Sequence, residues 1–299
     1  MSVSPSPRRP GALEYAGFAT LGLVWGTQYL VIKVAQPVLP PLMALALRFL
    51  VVAAAAQLYL LVERAPTPPD MRWKRAVYGA MHAAGMGLLY WGQTSIPSSL
   101  VGVLLATTPL AVAVMAHAFI PGERLTKRTT LPLVVGVAGA MLITLGMDRD
   151  GDRATHLVGV GAIVSSVLCS AGVKVFSKKL VAQLPVSIML RDLGVVVGLC
   201  SVLASALVED WARARAEPWA MLSILYLGLV ASAGATGWYL VLLRRVPVTV
   251  MATLQLLTAA VAFGAGVVFG GDHPSTMSVL GCVLVMSGLT WRTKEVRDE

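Results

Sequence analysis

The chain reads as an all-α integral membrane protein of ten transmembrane helices, arranged as two inverted five-helix repeats. Three observations predict this. Of its 299 residues 57% are apolar and only 13% are charged, with a mean hydropathy of +0.75. A soluble domain carries about 25% charged residues, so a soluble protein with ordinary surfaces is excluded. Apolar stretches near the ~20-residue length of a membrane span follow one another along almost the whole chain. Finally, residues 104–139 and 253–288 carry one pattern twice, 149 positions apart. Ala111, Val112, Ala113, Ala116, Gly122, Leu131, Val134 and Gly139 recur as Ala260, Val261, Ala262, Ala265, Gly271, Leu280, Val283 and Gly288. Glu123 recurs as Asp272, each in a short polar break between two apolar stretches.

The first repeat, 13–147, holds expected spans at 13–35, 41–62, 73–94, 97–119 and 129–147. The second, 156–291, holds spans at 156–177, 185–208, 218–242, 247–270 and 274–291. Residues 1–12 read as a disordered tail and 292–299 as a cytoplasmic tail. Arg8 and Arg9 precede the first apolar run, which is too long for a signal peptide, contains Glu14 and Tyr15, and lacks a small-residue cleavage site. It reads as an uncleaved first span. The third span is interrupted by Gly and aromatic residues. Pro37, Pro40, Pro66, Pro97, Pro121, Pro185, Pro218, Pro247 and Pro274 sit near span ends, where a missing N–H costs no helical hydrogen bond. Cys169, Cys200 and Cys282 all fall within spans, which argues against disulfides and metal ligation and for small core residues.

The net charge of +9 is a matter of orientation rather than of nucleic-acid binding. With the N-terminus inside, seventeen Lys and Arg lie on inner segments: Arg8, Arg9, Arg64, Arg72, Lys74, Arg75, Arg124, Lys127, Arg128, Lys174, Lys178, Lys179, Arg244, Arg245, Arg292, Lys294 and Arg297. Five lie on outer segments: Lys33, Arg149, Arg153, Arg213 and Arg215. This bias satisfies the positive-inside rule and puts both termini in the cytoplasm of a multi-pass protein of the cell inner membrane.

Five spans per half is an odd number, so the second half enters the membrane upside down. The charges agree: the break after span four carries Arg124, Lys127 and Arg128, while its counterpart, 272–277, carries no Lys or Arg. Inverted repeats of this kind build secondary transporters, with the substrate site at their interface near mid-membrane.

The sequence also resembles the drug/metabolite transporter superfamily, in particular its EamA-like members with two EamA repeats and ten helices. In the first half the resemblance rests on Trp25-Gly26-Thr27 opening a segment that runs to Lys33, on Pro41, and on Ala46-Leu47-Arg48-Phe49. It continues in Ser95-Ile96-Pro97-Ser98-Ser99-Leu100, Pro109 and Gly122-Glu123-Arg124-Leu125-Thr126. In the second half it rests on Ser177-Lys178-Lys179-Leu180, Tyr226-Leu227-Gly228, Val246-Pro247-Val248-Thr249, and Gly281 with Gly288. Order and spacing over two repeats carry the resemblance. Thr258 stands where a counterpart of Pro109 is expected, Asp272 replaces the usual Glu, and Pro132 occupies the site matching Gly281. The resemblance implies movement of small metabolites across the inner membrane, most often outward.

Ionisable groups inside spans are costly, so each is a functional candidate. Arg48 lies about seven residues in from the outer end of span two; Arg191 and Asp192 lie at comparable depth from the inner end of span seven, its counterpart. Each has two readings. Arg48, Arg191 and Asp192 are intramembrane charges that serve coupling, with Asp192 the carboxylate suited to protons, or Arg48 snorkels or caps carbonyls and Arg191 or Asp192 pairs with a neighbouring helix. His82 lies near the middle of span three with Tyr78 one turn before it, and is a candidate proton carrier, substrate donor or packed core histidine. His117, near Glu123, reads as structural. Trp25, Gln28 and Tyr29 share one face of span one and mark a cavity wall, extended by Tyr90, Trp91, Gln93, Trp238 and Gln255 as substrate-binding candidates. Thr107, Thr108, Ser166, Ser170, Tyr239 and Thr258 are weaker ones; Tyr and Trp near span ends also serve as interfacial belts.

No nucleotide-binding, zinc-protease, C-x-x-C or nucleophile-elbow motif occurs, which excludes a self-contained ATP-driven pump and implies no cofactor. The expected partners are a small-molecule substrate and membrane lipid, with the chain as monomer or homodimer. The competing readings are a membrane enzyme acting on a lipid or lipid-linked group, for which Glu209, Asp210 and the acids of 148–152 are the available carboxylates, and a non-transporting scaffold.

Overall fold

The computed structural model describes residues 12–63, 71–119, 153–181, 183–245 and 248–297, with isolated helical positions between 131 and 142. The regular structure of these residues is helical throughout. In order they form α1 (Ala12–Ala35), α2 (Pro41–Glu63), α3 (Arg72–Gly92), α4 (Ser98–Leu105), α5 (Thr108–Phe119), α6 (Arg153–Val181) and α7 (Val186–Val208). A 3₁₀ turn at Trp211–Arg213 leads to α8 (Pro218–Leu225), a π-helical segment (Tyr226–Gly234) and α9 (Ala235–Arg245). Last come α10 (Val248–Phe269) and α11 (Thr276–Arg297), the latter running on into the segment expected as a C-terminal tail. Most of the expected fifth span, most of the N-terminal tail and the Glu123 break lie outside the described residues.

Five of these runs are long and apolar enough to cross a membrane: Ala16–Ala35, Pro41–Glu63, Thr155–Lys174, Val186–Val208 and Pro218–Leu242. Shorter apolar stretches occupy Ser98–Val112, Leu257–Phe269 and Thr276–Ser287. Their outward faces are apolar: Leu58, Leu61, Val62, Leu203, Leu207 and Phe269 are all exposed. Such a surface suits hydrocarbon rather than water. α3 is less apolar because it begins with Arg72, Lys74 and Arg75 and is rich in glycine.

The expected span 97–119 is broken at Ala106–Thr107. Pro109 has no N–H to give the Leu105 carbonyl. That carbonyl accepts instead from Thr108 Oγ1 at 2.5 Å and, from α10, Gln255 Nε2 at 3.5 Å. The matching position in the second repeat is Thr258, and α10 runs unbroken.

The helices pack closely where side chains are small. α2 and α7 run antiparallel, and a Cβ on Gly194 would lie 2.5 Å from the Ala53 backbone nitrogen. A carboxylate from each helix holds the start of the other, and one of the two is a true cap. Glu209, just past α7, accepts the Leu42 and Met43 N–H groups at 2.7 and 3.0 Å, while Glu63, at the end of α2, accepts a hydrogen bond from Ser187 at the start of α7. The orphan N–H groups of a helix start thus meet a carboxylate, which also suits the helix dipole. Glu209, the first acid on which an enzymatic reading would draw, is a helix cap. α3 packs on α6 through Gly85 against Cys169 and Gly92 against Gly159, again antiparallel; α1 and α10 run parallel, Gly22 meeting Leu257 and Gly26 meeting Val261.

Overpacking a close crossing costs about 1–3 kcal/mol. Gly194→Leu is expected to lower the thermal midpoint in detergent clearly, whereas Gly161→Ala, where a Cβ meets nothing within 4 Å, leaves it nearly unchanged. Size-exclusion-monitored thermal unfolding of both variants checks this.

Candidate functional site

α2 turns Arg48 into the interior, where it is 3% exposed. Its Nε donates to Ser232 Oγ at 2.7 Å, Nη1 to the Tyr90 hydroxyl at 3.1 Å, and Nη2 to Gln28 Oε1 at 2.9 Å. These partners come from the π-helical segment, α3 and α1. All are neutral. The π-helical segment approaches α2 through Gly228, whose Cβ, if present, would lie 2.9 Å from the Arg48 carbonyl. π-helical turns are rare and recur at functional sites. Here the segment supplies Ser232 to the guanidinium and, from the preceding residue, the Ala231 carbonyl, which accepts from Trp25 Nε1 at 3.0 Å.

An aromatic wall adjoins this cluster. The Phe49 ring lies beside the Arg48 guanidinium at 5.6 Å and meets His82 edge-on at 5.7 Å; His82 lies 6.3 Å from Tyr78. Trp25 tilts against Tyr239 at 5.3 Å. Of the residues expected to form a site, the structure thus gathers Trp25, Gln28, Tyr90 and Arg48, and through Phe49 also His82 and Tyr78. Tyr29 is buried nearby, and its carbonyl accepts a hydrogen bond from Gln93. Trp91 is 47% exposed and Trp238 39% exposed, the latter ring lying over Gly17, so neither belongs to this group. His117 has no described side chain.

Arg191 and Asp192 stand apart from Arg48. Both Nε and Nη2 of Arg191 donate to Asp192 Oδ1, at 2.8 and 2.6 Å, and Arg75 of α3 donates to Oδ2. The Arg75 Nε is buried without a partner. A carboxylate held by two guanidiniums joins α3 to α7 where Gly79 meets Val196. By sequence Arg75 and Lys174 are inner-segment cations; in the fold Arg75, three residues into α3, is buried on Asp192, and Lys174 Nζ donates to Gln255 Oε1 at 3.3 Å inside the bundle. Its place within an apolar span was the available signal.

At the end of the bundle where α1 finishes, the two repeats are tied by an ion pair that the sequence did not single out. Lys33 Nζ reaches Asp272 Oδ1 at 2.6 Å and the Gly270 carbonyl at 3.0 Å. Asp272 Oδ2 accepts from Ser98 Oγ at 3.0 Å and from the Ser99 N–H, at the start of α4, at 2.9 Å. Gly271, at φ +65°, lets the chain turn back so that Asp272 faces α4. A cavity of about 360 Å³ opens beside it, lined by Lys33, Gln36, Gln93, His156, Asp272 and His273 among others. Burial alone would raise the Asp272 pKa, but hydrogen bonds from Lys33 and Ser99 outweigh it and hold the carboxyl below its ordinary value of 3.8.

A depressed native pKa contributes stability above the ordinary value, and that contribution is lost as pH falls through the native one. Asp272→Asn is therefore expected to lower thermal stability at neutral pH, and the gap to the parent protein is expected to shrink as pH falls below about 3.8. Thermal midpoints of both proteins measured against pH check this; a gap constant into acid would contradict it.

Comparison with known proteins agrees with this architecture. The model of the EamA-like transporter family matches twice, over residues 13–145 and 157–292. The chain is 24% identical over 276 residues to the "Uncharacterized inner membrane transporter YedA" of Escherichia coli K12, covering 91% of this chain and 88% of that protein. It is 24% identical over 277 residues to the "Probable amino-acid metabolite efflux pump" of the same organism, covering 89% and 90%. A solved crystal structure shares the fold at a TM-score of 0.68 and 21% identity, over 93% of this chain and 97% of its own. With the family model matching once in each half, and five described helices long and apolar enough to cross a membrane, the chain belongs to the EamA-like transporter family.

Proposed function

We propose that this protein is a secondary transporter that exports small metabolites, amino acids or related compounds, across the inner membrane by alternating access between two inverted five-helix halves. The observation that carries the reading is the Arg48 cluster. It is a polar site inside an apolar bundle, built jointly by Gln28, Arg48 and Tyr90 of the first repeat and Ser232 of the second. Interfaces between inverted repeats are where transporters bind substrate. The antiparallel α2–α7 pair, in which Glu209 meets the start of α2 and Glu63 meets Ser187 at the start of α7, has the relation that inversion requires. The relatives named as an inner membrane transporter and an amino-acid metabolite efflux pump support the location and substrate class.

In this reading the Asp272 end faces outward and both termini lie in the cytoplasm, as the basic residues favour. The Lys33–Asp272 bridge closes the outer end and must open for release. Trp25, Gln28, Tyr29, Tyr78 and Tyr90 line the substrate path; Gln93 borders the outer cavity and Gln255 the broken fourth span. His82 is the proton-coupling residue, since its ring nitrogens make no hydrogen bond among the described residues and Asp192 is engaged by two arginines.

Proteoliposomes loaded with an amino-acid and metabolite panel are expected to lose particular compounds, faster with an imposed pH gradient. No flux of any compound from folded protein would overturn the reading. His82→Ala is expected to leave expression intact and to abolish the pH dependence of flux; an unchanged pH profile would remove His82 from the mechanism.

A further inference from the structure

We infer that Arg48 and its neighbours form a seat for the carboxylate of a small monoanionic substrate, an inference that rests on the transport reading above and names its substrate class. The argument is a count of donors and acceptors. A guanidinium carries five N–H groups and three are used, one on each nitrogen. One N–H on each terminal nitrogen is left, and paired terminal N–H groups are what a carboxylate takes from arginine. The Tyr90 and Ser232 hydroxyls both accept from Arg48, so each keeps its own hydrogen, and neither has an acceptor among the described residues. Gln28 accepts through Oε1, and its side chain also reaches the neighbouring Tyr29 hydroxyl. The cluster is thus rich in donors, poor in acceptors, positively charged and almost wholly buried.

Among the described residues no carboxylate fills it. Asp192 is held by Arg75 and Arg191, Asp272 by Lys33 and α4, Glu63 by Ser187, and Glu209 by the start of α2. A single buried cation is neutralised by one negative charge. A dianion such as phosphate would leave a net charge in the apolar interior, which is unfavourable. Phe49, Trp25 and Tyr239 flank the cluster and offer apolar and aromatic surface to the remainder of the molecule. The ligand is therefore an amphiphilic monocarboxylate.

The test is thermal stabilisation of the purified, detergent-solubilised full chain by phenylacetate and hexanoate, by the matching primary amides, and by inorganic phosphate. Acids are expected to stabilise while amides and phosphate do not. Arg48→Lys, which keeps the charge but not the fork, is expected to weaken acid binding by about tenfold or more. Amides that protect as well as acids, acids that do not protect at all, or acid binding unchanged in folded Arg48→Gln would overturn the inference. Should both variants fail to fold, the acid-against-amide comparison on the parent protein decides it alone. Flux of the same compounds separates the two claims. Acid binding without flux retains the carboxylate seat and removes the transport reading; flux of amides undisturbed by acids removes the seat and retains transport.

Discussion

Helices in hydrocarbon gain little from apolar contact with one another, because lipid tails are as apolar as leucine. They associate through close backbone approach and satisfied polar groups. The α2–α7 crossing supplies both. Gly194 lets α7 lie directly on the α2 backbone at Ala53, and Glu63 and Glu209 secure the two ends. The charged clusters hang from this pair. Arg48 lies a little over one turn before Ala53 on α2, and Asp192 two residues before Gly194 on α7, so each polar side chain is aimed by a crossing whose rotation is fixed.

The two members of the pair use their charges differently. Asp192 meets two arginines and stitches α3 to α7. Arg48, at a comparable depth in its own helix, meets neutral oxygens only. Satisfaction without neutralisation is an expensive condition for a buried cation. The rest of the fold tolerates it because Gln28, Tyr90 and Ser232 arrive from three different elements, one of them held in π-helical form. At the far end of α1 the opposite economy applies: Asp272 is neutralised by Lys33 and also satisfies the start of α4, joining both repeats at a single residue.

Much of this was legible in the residues. Apolar runs bounded by proline located α1, α2, α7 and α10 to within a few positions, because a helix must satisfy its own backbone in lipid and proline tolerates only its ends. Arg48 stood out as a charge in an apolar run, and Trp25 and Gln28 as neighbours on one helical face. Other residues were misleading for a local reason. Trp91 and Trp238 looked like cavity residues by type, but their helix phase turns them toward the outside of the bundle. Glu209 looked like a solvated loop acid, because nothing in its own neighbourhood reveals that the start of α2 lies against it.

The sequence by itself determined the class of the molecule: membrane-embedded, helical and duplicated. Composition, run length and the 149-residue period are properties of the chain taken one segment at a time. Partnership is not such a property. That Lys33 answers Asp272, that Arg75 shares Asp192 with Arg191, and that Ser232 reaches Arg48 are contacts between segments more than a hundred residues apart. They depend on the angle and rotation at which helices cross, set by steric fit at glycines and by the π-helical segment. Only the tertiary structure decides that fit, and with it which buried charges are neutralised and which one meets neutral partners only.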